Sequence, residues 1–236
     1  MSDESKRAIN ATAATNDAAK QVQQAAGEAN GVRVKHAVEL VDVGGGNIGS
    51  VIRFLERLDV PFRQARQASE ITGTVPLILP GVGSFGAVMQ HLRKNNLADP
   101  IVELVRKGTP FLGVCVGMQI LFEGSAESPN DPGLALLKGR VVKFTRGKVP
   151  QIGWNLITPR PSMHSLFPNE EFVYFVNSYF ARPEDDDVVS FTAEYEETFC
   201  AAVHTKNITA FQFHPEKSGK AGERLISAWL KEVGVR

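Results

Sequence analysis

Short apolar runs alternate along the chain with segments of helical periodicity. The apolar runs have the length of buried strands and span Ala37 to Val43, Val75 to Leu79 and Pro110 to Val114. After each run the chain turns, and apolar positions then recur at helical spacing in Ile48 to Leu58, Met89 to Leu104 and Val116 to Phe122. This alternation predicts a parallel sheet with helices on both faces.

From Gly139 onward the pattern becomes mainly strand-like. The predicted strands are Arg140 to Phe144, Phe172 to Phe180, Val188 to Tyr195, Phe199 to His204 and Ala210 to Phe213. The chain closes with a predicted helix, Ala221 to Val233, whose apolar side chains share one face. The sequence therefore predicts one α/β domain with a mostly parallel central sheet flanked by helices, and a mixed or antiparallel extension of that sheet.

Residues 1–36 differ in composition from the rest. They are rich in Ala, Asn, Gln and Thr and hold almost no large apolar side chains, so they cannot bury enough surface to offset the entropy of ordering. We predict a disordered N-terminal extension over 1–36 and a folded domain over 37–236.

Composition excludes several classes of function. Lys plus Arg and Asp plus Glu both number 26, so the net charge is zero and gives no electrostatic case for nucleic acid or a membrane as partner. No apolar run approaches the roughly 20 residues that span a bilayer. The two cysteines belong to no metal-binding cluster, which predicts neither a metal site nor a disulfide framework. A soluble protein of the reducing cytoplasm is expected.

Cys115 stands where the predicted strand Pro110 to Val114 meets a helix. Gly113 and Gly117 flank it two residues away on either side, which is the pattern of a nucleophile elbow with cysteine in place of serine. The amides at the start of the helix would face the sulfur and favour the thiolate. The alternative is a cysteine that only packs, which is the interpretation we favour for Cys200 in its apolar strand.

A cysteine nucleophile needs a base and a group that orients the base. His214 is expected to end the strand that Pro215 stops, and Glu216 lies two positions later, on the same side of an extended chain. Strand ends of this kind open onto the crevice where ligands bind. The remaining histidines are weaker candidates, and His204, which Thr205 to Asn207 follow at a probable turn, is expected to be solvated. Residue spacing alone leaves the role of His214 open.

Three ordered motifs together resemble a known family. They are Pro80 to Gly83, Gly113 to Gln119 and Phe211 to Glu216, and they resemble the class I (triad) glutamine amidotransferases, which have a flavodoxin-like fold. The resemblance covers nearly everything from Val38 onward. It implies that Cys115 attacks the side-chain amide of glutamine, that a thioester forms with loss of ammonia, and that water hydrolyses it. His214 would move protons and Glu216 would orient it, without a cofactor.

The same resemblance implies roles around the triad. The oxyanion would be held by the backbone amide of Val116 and by an amide of the loop at Val82 and Gly83, and Gln119 would hold the substrate. A glutamine on the helix surface is the alternative for Gln119. Ser178 and Tyr179 match positions that line the glutamine pocket.

Further stretches resemble one branch of the family. They are Val149 to Asn155, Tyr174 to Tyr179 and His214 to Ser218, and they resemble glutaminase subunits of imidazole glycerol phosphate synthase in histidine biosynthesis. This implies a heterodimer with a (βα)₈-barrel cyclase that receives ammonia through an enclosed path. The interface candidates are Asn47, Trp154, Asn155 and Lys217. Core packing is the alternative for Trp154, and a solvated charge is the alternative for Lys217.

The sequence departs from this pattern at three places. Gln151 and Asn177 stand where the family usually has histidine, and the turn Gly44 to Gly46 is richer in glycine. None of these positions belongs to the triad. Two alternatives therefore stay open: a glutaminase subunit that serves a different ammonia-accepting synthase, and a catalytically silent regulatory subunit.

Overall fold

The computed structural model describes residues 37–44, 48–81, 83–161 and 166–235. The predicted disordered extension, 1–36, lies outside these residues, so the proposed domain boundary stays a prediction. The described helices include none that is long and apolar enough to cross a membrane.

A mixed sheet of nine strands forms the centre of the fold, in the order β2-β1-β3-β4-β13-β12-β11-β8-β9. The first five strands in this order run parallel to their neighbours: β2 (Phe62–Ala65), β1 (Val38–Val41), β3 (Leu77–Gly81), β4 (Phe111–Cys115) and β13 (Ile208–Phe211). The other four continue it antiparallel: β12 (Thr198–His204), β11 (Val189–Glu194), β8 (Gln151–Pro159) and β9 (Glu171–Asn177). The predicted parallel sheet and its antiparallel extension are both confirmed.

A second sheet of four strands has the order β10-β7-β5-β6. Its strands are β5 (Gly124–Ser125), β6 (Ser128–Pro132), β7 (Gly139–Lys143) and β10 (Tyr179–Pro183). The sequence did not predict a separate sheet. The short strands β5 and β6 carry Ser, Asn, Asp and Pro rather than an apolar pattern, so periodicity could not reveal them.

Five α-helices surround the described sheets: α1 (Ile48–Arg57), α2 (Phe85–Lys94), α3 (Ala98–Arg106), α4 (Val116–Gln119) and α5 (Gly219–Glu232). Helices α1 and α5 meet over the parallel strands, where Val51 and Ile226 line the same small cavity as Ile78 and Val114. The strands beneath are buried over their whole length, as parallel strands covered by helices must be.

The single helix expected over Met89 to Leu104 is wrong, because α2 and α3 are separate helices. Asn96 has a left-handed backbone with φ of 54°, a conformation that asparagine tolerates better than most residues. The side chain of Asn95 also donates to the carbonyl of His91 at 3.0 Å and satisfies one of the last acceptors of α2. The apolar period continues through this break, which hides it from sequence analysis.

The helix expected over Val116 to Phe122 ends at Gln119. The carbonyls of the next residues accept bonds from a later loop, with Leu134 N donating to Ile120 O at 2.7 Å and Leu136 N donating to Leu121 O at 2.9 Å. These carbonyls are therefore committed outside the helix, and the chain turns into β5 instead.

The strand expected over Phe172 to Phe180 is two strands that belong to different sheets. The chain leaves the central sheet at Asn177 and enters the second sheet at Tyr179. The side chain of Asn177 donates to the carbonyl of Tyr179 at 3.1 Å, a local bond that competes with a straight strand. The residues of this bend, Asn177 to Tyr179, line a cavity beside Cys115.

The chain has one buried and one exposed tryptophan, and replacing each of them tests which packing stabilises the fold. Trp229 of α5 is 1% exposed and Trp154 of β8 is 58% exposed. We expect Trp229→Ala to lower the free energy of unfolding by about 3–5 kcal/mol, because it leaves a cavity in the core. Trp154→Ala should cost less than about 1 kcal/mol in the isolated chain. Chemical denaturation of both variants measures this, and equal losses would contradict the assignment of the core.

Candidate active site

Cys115 occupies a strained turn between β4 and α4. Its backbone has φ of 54° and ψ of −111°, a region that non-glycine residues rarely enter. Such strain costs on the order of 1–3 kcal/mol and persists only where the surroundings impose it. The sharp strand-to-helix turn predicted around Cys115 is therefore present.

Close backbone packing imposes this turn. A Cβ atom on Gly117 would lie 2.0 Å from the carbonyl oxygen of Leu79, and one on Gly81 would lie 2.2 Å from the nitrogen of Gly117. A Cβ atom on Gly113 would lie 2.6 Å from the oxygen of Gly117. Helix α4 thus rests directly on the ends of β3 and β4, which leaves no room for side chains at these three positions.

His214 contacts the sulfur of Cys115 and Glu216 contacts His214, although not through the local structure that we expected. Strand β13 ends at Phe211, and His214 instead precedes a 3₁₀ turn, Pro215–Lys217, that carries Glu216. The backbone N–H of His214 donates to the carbonyl of Tyr174 at 2.9 Å, which ties this segment to β9. Nδ1 of His214 lies 2.8 Å from Oε1 of Glu216, so the expected contact exists in a tight turn rather than along a strand.

Burial and charge act on His214 in opposite directions. Burial alone would lower the pKa of its imidazole, but hydrogen bonds and charge attraction from Cys115 and Glu216 outweigh burial and raise the pKa from 6.5 to about 10. Both side chains of the His214–Glu216 pair are about 5% exposed or less, so solvent screens their interaction little. This arrangement stores a proton on His214 next to the sulfur at neutral pH.

A cavity of about 180 Å³ opens in front of Cys115. Its volume is below that of pockets for drug-sized ligands and suits a small metabolite. The polar side chains around it include two from β4 and α4, Cys115 and Gln119, and others at Glu127, Asn177, Ser178 and Tyr179. Ser178 and Tyr179 thus line the cavity beside Cys115, and their role in a glutamine pocket stays a prediction. Glu127 and Asn177 were not predicted as pocket residues, since Glu127 belongs to none of the motifs and Asn177 drew attention only as a departure from the family pattern.

Two of the three residues predicted around the oxyanion are described and lie at the cavity, and their role as donors stays a prediction. Val116 and Gly83 both line the cavity next to Cys115. As the first residue of α4, Val116 has a backbone N–H without an acceptor inside its helix. Val82 lies outside the described residues.

Buried carboxamides form a chain behind the cavity. Nε2 of Gln119 donates to the carbonyl oxygen of Tyr179 and to Oε1 of Gln212, both at 3.0 Å. Nε2 of Gln212 in turn lies 3.8 Å from the sulfur of Cys115. Gln119 is thus buried. The alternative interpretation, a glutamine on the helix surface, is wrong. Gln212 lies inside the Phe211 to Glu216 motif, but nothing in its sequence position singled it out.

The two positions that depart from the family pattern face each other. Gln151 of β8 pairs in register with Asn177 of β9, and both are at most 5% exposed. Among the described residues, neither Gln151 Oε1 nor Asn177 Oδ1 has a hydrogen-bond partner. Buried acceptors without partners are uncommon, so Asn177 presents an unused acceptor in the wall of the cavity.

An exposed apolar surface lies on the β8–β9 edge of the central sheet. We call it the β8–β9 face and define it by Ile152, Trp154, Phe172, Tyr174 and the neighbouring Lys217. Ile152, Trp154 and Phe172 are 63%, 58% and 61% exposed, which rules out core packing for Trp154. Lys217 is exposed, as the alternative of a solvated charge requires, and its ammonium lies 6.0 Å from the ring centroid of Tyr174.

The other predicted interface residues are less available. The side chain of Asn155 donates to the carbonyl of Glu194 at 2.8 Å and accepts from the backbone of Leu156, so its polar atoms are committed within the chain. Asn47 lies outside the described residues.

Two further side chains clarify which groups are reactive. Burial raises the pKa of the Cys200 thiol to about 12, consistent with a cysteine that only packs. The expectation that His204 is solvated is wrong, because its side chain is 17% exposed and contacts Glu232 and Thr209. His204 is the last residue of β12, directly before the turn at 205–207, and its contact with Glu232 places it against α5.

Comparison with known proteins agrees with this geometry. The family model of class-I glutamine amidotransferases matches residues 39–233. The chain is 41% identical to the imidazole glycerol phosphate synthase subunit HisH of Dehalococcoides mccartyi, over 82% of this chain and 96% of the relative. It is 42% identical to the subunit of the same name from Rhodopirellula baltica, over 80% and 94%. A solved glutamine amidotransferase structure matches with a TM-score of 0.69 and 20% identity, over 84% of this chain and 99% of that one, which shows the fold alone.

The pKa of His214 should fall when either of its charged neighbours is removed. Cys115→Ala removes the sulfur that bonds to the imidazole, and Glu216→Gln removes the negative charge at Nδ1. NMR titration of the imidazole resonances measures the pKa directly. His204 serves as an internal control, because burial lowers its pKa and neither variant touches it.

The free energy of unfolding should depend on pH because of the same shift in the pKa of His214. Because the folded-state pKa of His214 is raised above 6.5, its stabilising contribution is complete below pH 6.5 and is lost as pH rises toward 10. Wild-type protein should therefore lose more free energy of unfolding between pH 6.5 and 10 than Cys115→Ala. An unchanged His214 midpoint in both variants would show that these contacts do not set its charge.

Proposed function

Because the chain belongs to the class I glutamine amidotransferase family, we propose that Cys115, His214 and Glu216 hydrolyse glutamine and that the ammonia passes to a cyclase subunit. The protein is the glutaminase subunit of imidazole glycerol phosphate synthase, an enzyme of histidine biosynthesis. The observation that carries the proposed mechanism is the buried contact of His214 with Cys115 and Glu216 beside a metabolite-sized cavity.

In the first half-reaction the thiolate of Cys115 attacks the carboxamide carbon of glutamine and forms a carbon–sulfur bond. The carbonyl electrons move onto oxygen, and the tetrahedral intermediate collapses when the carbon–nitrogen bond breaks. His214 gives its proton to the leaving nitrogen, which departs as ammonia. The raised pKa of His214 supports this order of events, because the acid is already charged when the substrate arrives.

In the second half-reaction water attacks the thioester. His214, now neutral, takes a proton from the water, and the carbon–sulfur bond breaks to release glutamate and restore the thiolate. Glu216 holds Nδ1 throughout, so that Nε2 is the nitrogen that exchanges protons. The backbone amides of Val116 and of the Val82–Gly83 loop are the proposed donors to both oxyanions, and losing one such donor typically costs about 10²-fold to 10³-fold in rate.

Charge and hydrogen-bonding capacity in the cavity suit an amino acid with a carboxamide. Glu127 supplies a carboxylate for the α-ammonium group of glutamine. Gln119 uses its nitrogen within the protein, so its Oε1 is the atom left to accept from the substrate. The unused Oδ1 of Asn177 is a second acceptor, suited to an N–H of the substrate.

The partner surface that we propose is the β8–β9 face. Large aromatic and aliphatic side chains more than half exposed are typical of a surface that another protein covers. Trp154 is the proposed anchor, with Lys217 as the charged contact beside it. By family resemblance the partner is a (βα)₈-barrel cyclase bound as a heterodimer, and neither nucleic acid nor a membrane is involved.

Replacing the nucleophile should separate the two activities of the complex. Cys115→Ala should reduce glutamine-dependent synthesis by more than about 10³-fold, because no thioester forms. Synthesis driven by added ammonia should continue, because the cyclase site is untouched. Cys200→Ala is the matched control and should keep full glutaminase activity. Glutamine turnover by Cys115→Ala at the wild-type rate would overturn the proposal.

Truncating the proposed anchor should weaken the heterodimer. We expect Trp154→Ala to raise the Kd for the cyclase about 30-fold, equivalent to about 2 kcal/mol. Arg106→Ala is the control, since Arg106 is exposed at the end of α3, which leads into the central strand β4 and not into β8 or β9. Calorimetry or surface plasmon resonance measures both values. Equal affinities for the wild type and Trp154→Ala would place the cyclase elsewhere.

A further inference from the structure

The register of the central sheet places Gln212 next to Cys115. Strands β4 and β13 are parallel neighbours, with Ala210 opposite Gly113 and Phe211 opposite Val114. The next step in this register brings residue 212 beside Cys115. The side chain of Gln212 is fully buried, and its Nε2 lies 3.8 Å from the sulfur, within reach of an N–H to sulfur hydrogen bond.

The orientation of the Gln212 amide follows from one backbone carbonyl. The oxygen of Tyr179 can only accept a hydrogen bond, so the nitrogen of Gln119 must face it. The same nitrogen of Gln119 also faces Gln212, and it can only donate. Gln212 must therefore present its oxygen to Gln119 and its nitrogen to the sulfur. The reverse orientation would set two donors against each other in the core.

We propose that Gln212 is a further catalytic residue, which donates a hydrogen bond to the Cys115 sulfur and stabilises it as the thiolate. Hydrogen bonds to ionised acceptors are about twice as strong as neutral ones, and burial strengthens them further. This inference rests on the proposed role of Cys115 as nucleophile. It adds an uncharged donor to the sulfur, whose effect does not depend on the protonation state of His214.

The charged groups around the sulfur come from other elements. His214 approaches from the turn after β13, and Glu127 lines the same cavity from the segment between β5 and β6. His214 favours the thiolate only while it is protonated, and Glu127 disfavours it at any pH where the carboxylate is ionised. Gln212 does not titrate, so its contribution should be the same across the working range of pH.

The rate at which iodoacetamide alkylates Cys115 reports the thiolate without using glutamine. We expect Gln212→Met, which keeps the length of the side chain and removes the donor, to lower this rate about tenfold at pH 7 and to move its pH midpoint upward. Thr209→Val is the control, because it changes another buried polar residue of β13 that lies away from the sulfur. Cys115→Ala gives the background from Cys200.

A second measurement uses the unaltered protein. In wild-type chain labelled with ¹⁵N-glutamine, the side-chain amide resonance of Gln212 should shift with the same pH midpoint as the alkylation rate. This measurement decides the question if Gln212→Met fails to fold, as circular dichroism would reveal. Wild-type protein whose Cys115 resists alkylation at every pH would contradict the proposed nucleophile itself.

The inference about Gln212 fails separately from the function. Alkylation of Gln212→Met with the wild-type rate and midpoint, or a Gln212 amide resonance that ignores the titration, would overturn the hydrogen bond while leaving the nucleophile intact.

Discussion

The contact of helix α4 with the ends of β3 and β4 is the constraint on which the site depends. Backbone atoms of Gly81, Gly113 and Gly117 approach so closely that no Cβ atom fits at any of the three. This packing holds Cys115 in a backbone conformation that it would not adopt alone, and the strain is offset by the packing of the surrounding core. As a result the sulfur lies at the carboxyl end of β4, where the cavity opens, although Cys115 is only 6% exposed.

The charges of the site are arranged around that fixed sulfur. A buried histidine would ordinarily be neutral, and a buried glutamate would be costly, but each makes the other favourable at 2.8 Å. The sulfur adds a further favourable contact to His214, and the balance leaves the imidazole charged at neutral pH. Because the protein itself supplies these charges before substrate arrives, little reorganisation is needed during the reaction.

The parts of the molecule that depend on apolar periodicity and on motifs could be predicted from the sequence. The parallel strands and the helix α1 follow from apolar spacing, and the positions of Cys115, His214 and Glu216 follow from their motifs. Features set by particular hydrogen bonds, some between neighbouring residues and some between distant segments, could not be predicted in this way. The break at Asn96, the early end of α4 and the change of sheet at Asn177 each depend on such bonds, which leave the apolar pattern unaltered. Glu127 and Gln212 were missed for the same reason, since only the fold brings them to the cavity and the sulfur.

The antiparallel half of the sheet connects the exposed apolar surface with His214. Tyr174 belongs to the β8–β9 face, yet its carbonyl accepts from the backbone of His214 at 2.9 Å and its N–H donates to Ser218 Oγ at 2.9 Å. Ser218 Oγ in turn donates to the carbonyl of His214 at 2.7 Å. Along the same strand Asn177 reaches the cavity wall three residues later. A protein bound on this face would therefore rest on the strand that holds the base and borders the substrate. Because the backbone bond between Tyr174 and His214 joins β9 directly to the turn that carries His214 and Glu216, a single strand separates the exposed face from this pair.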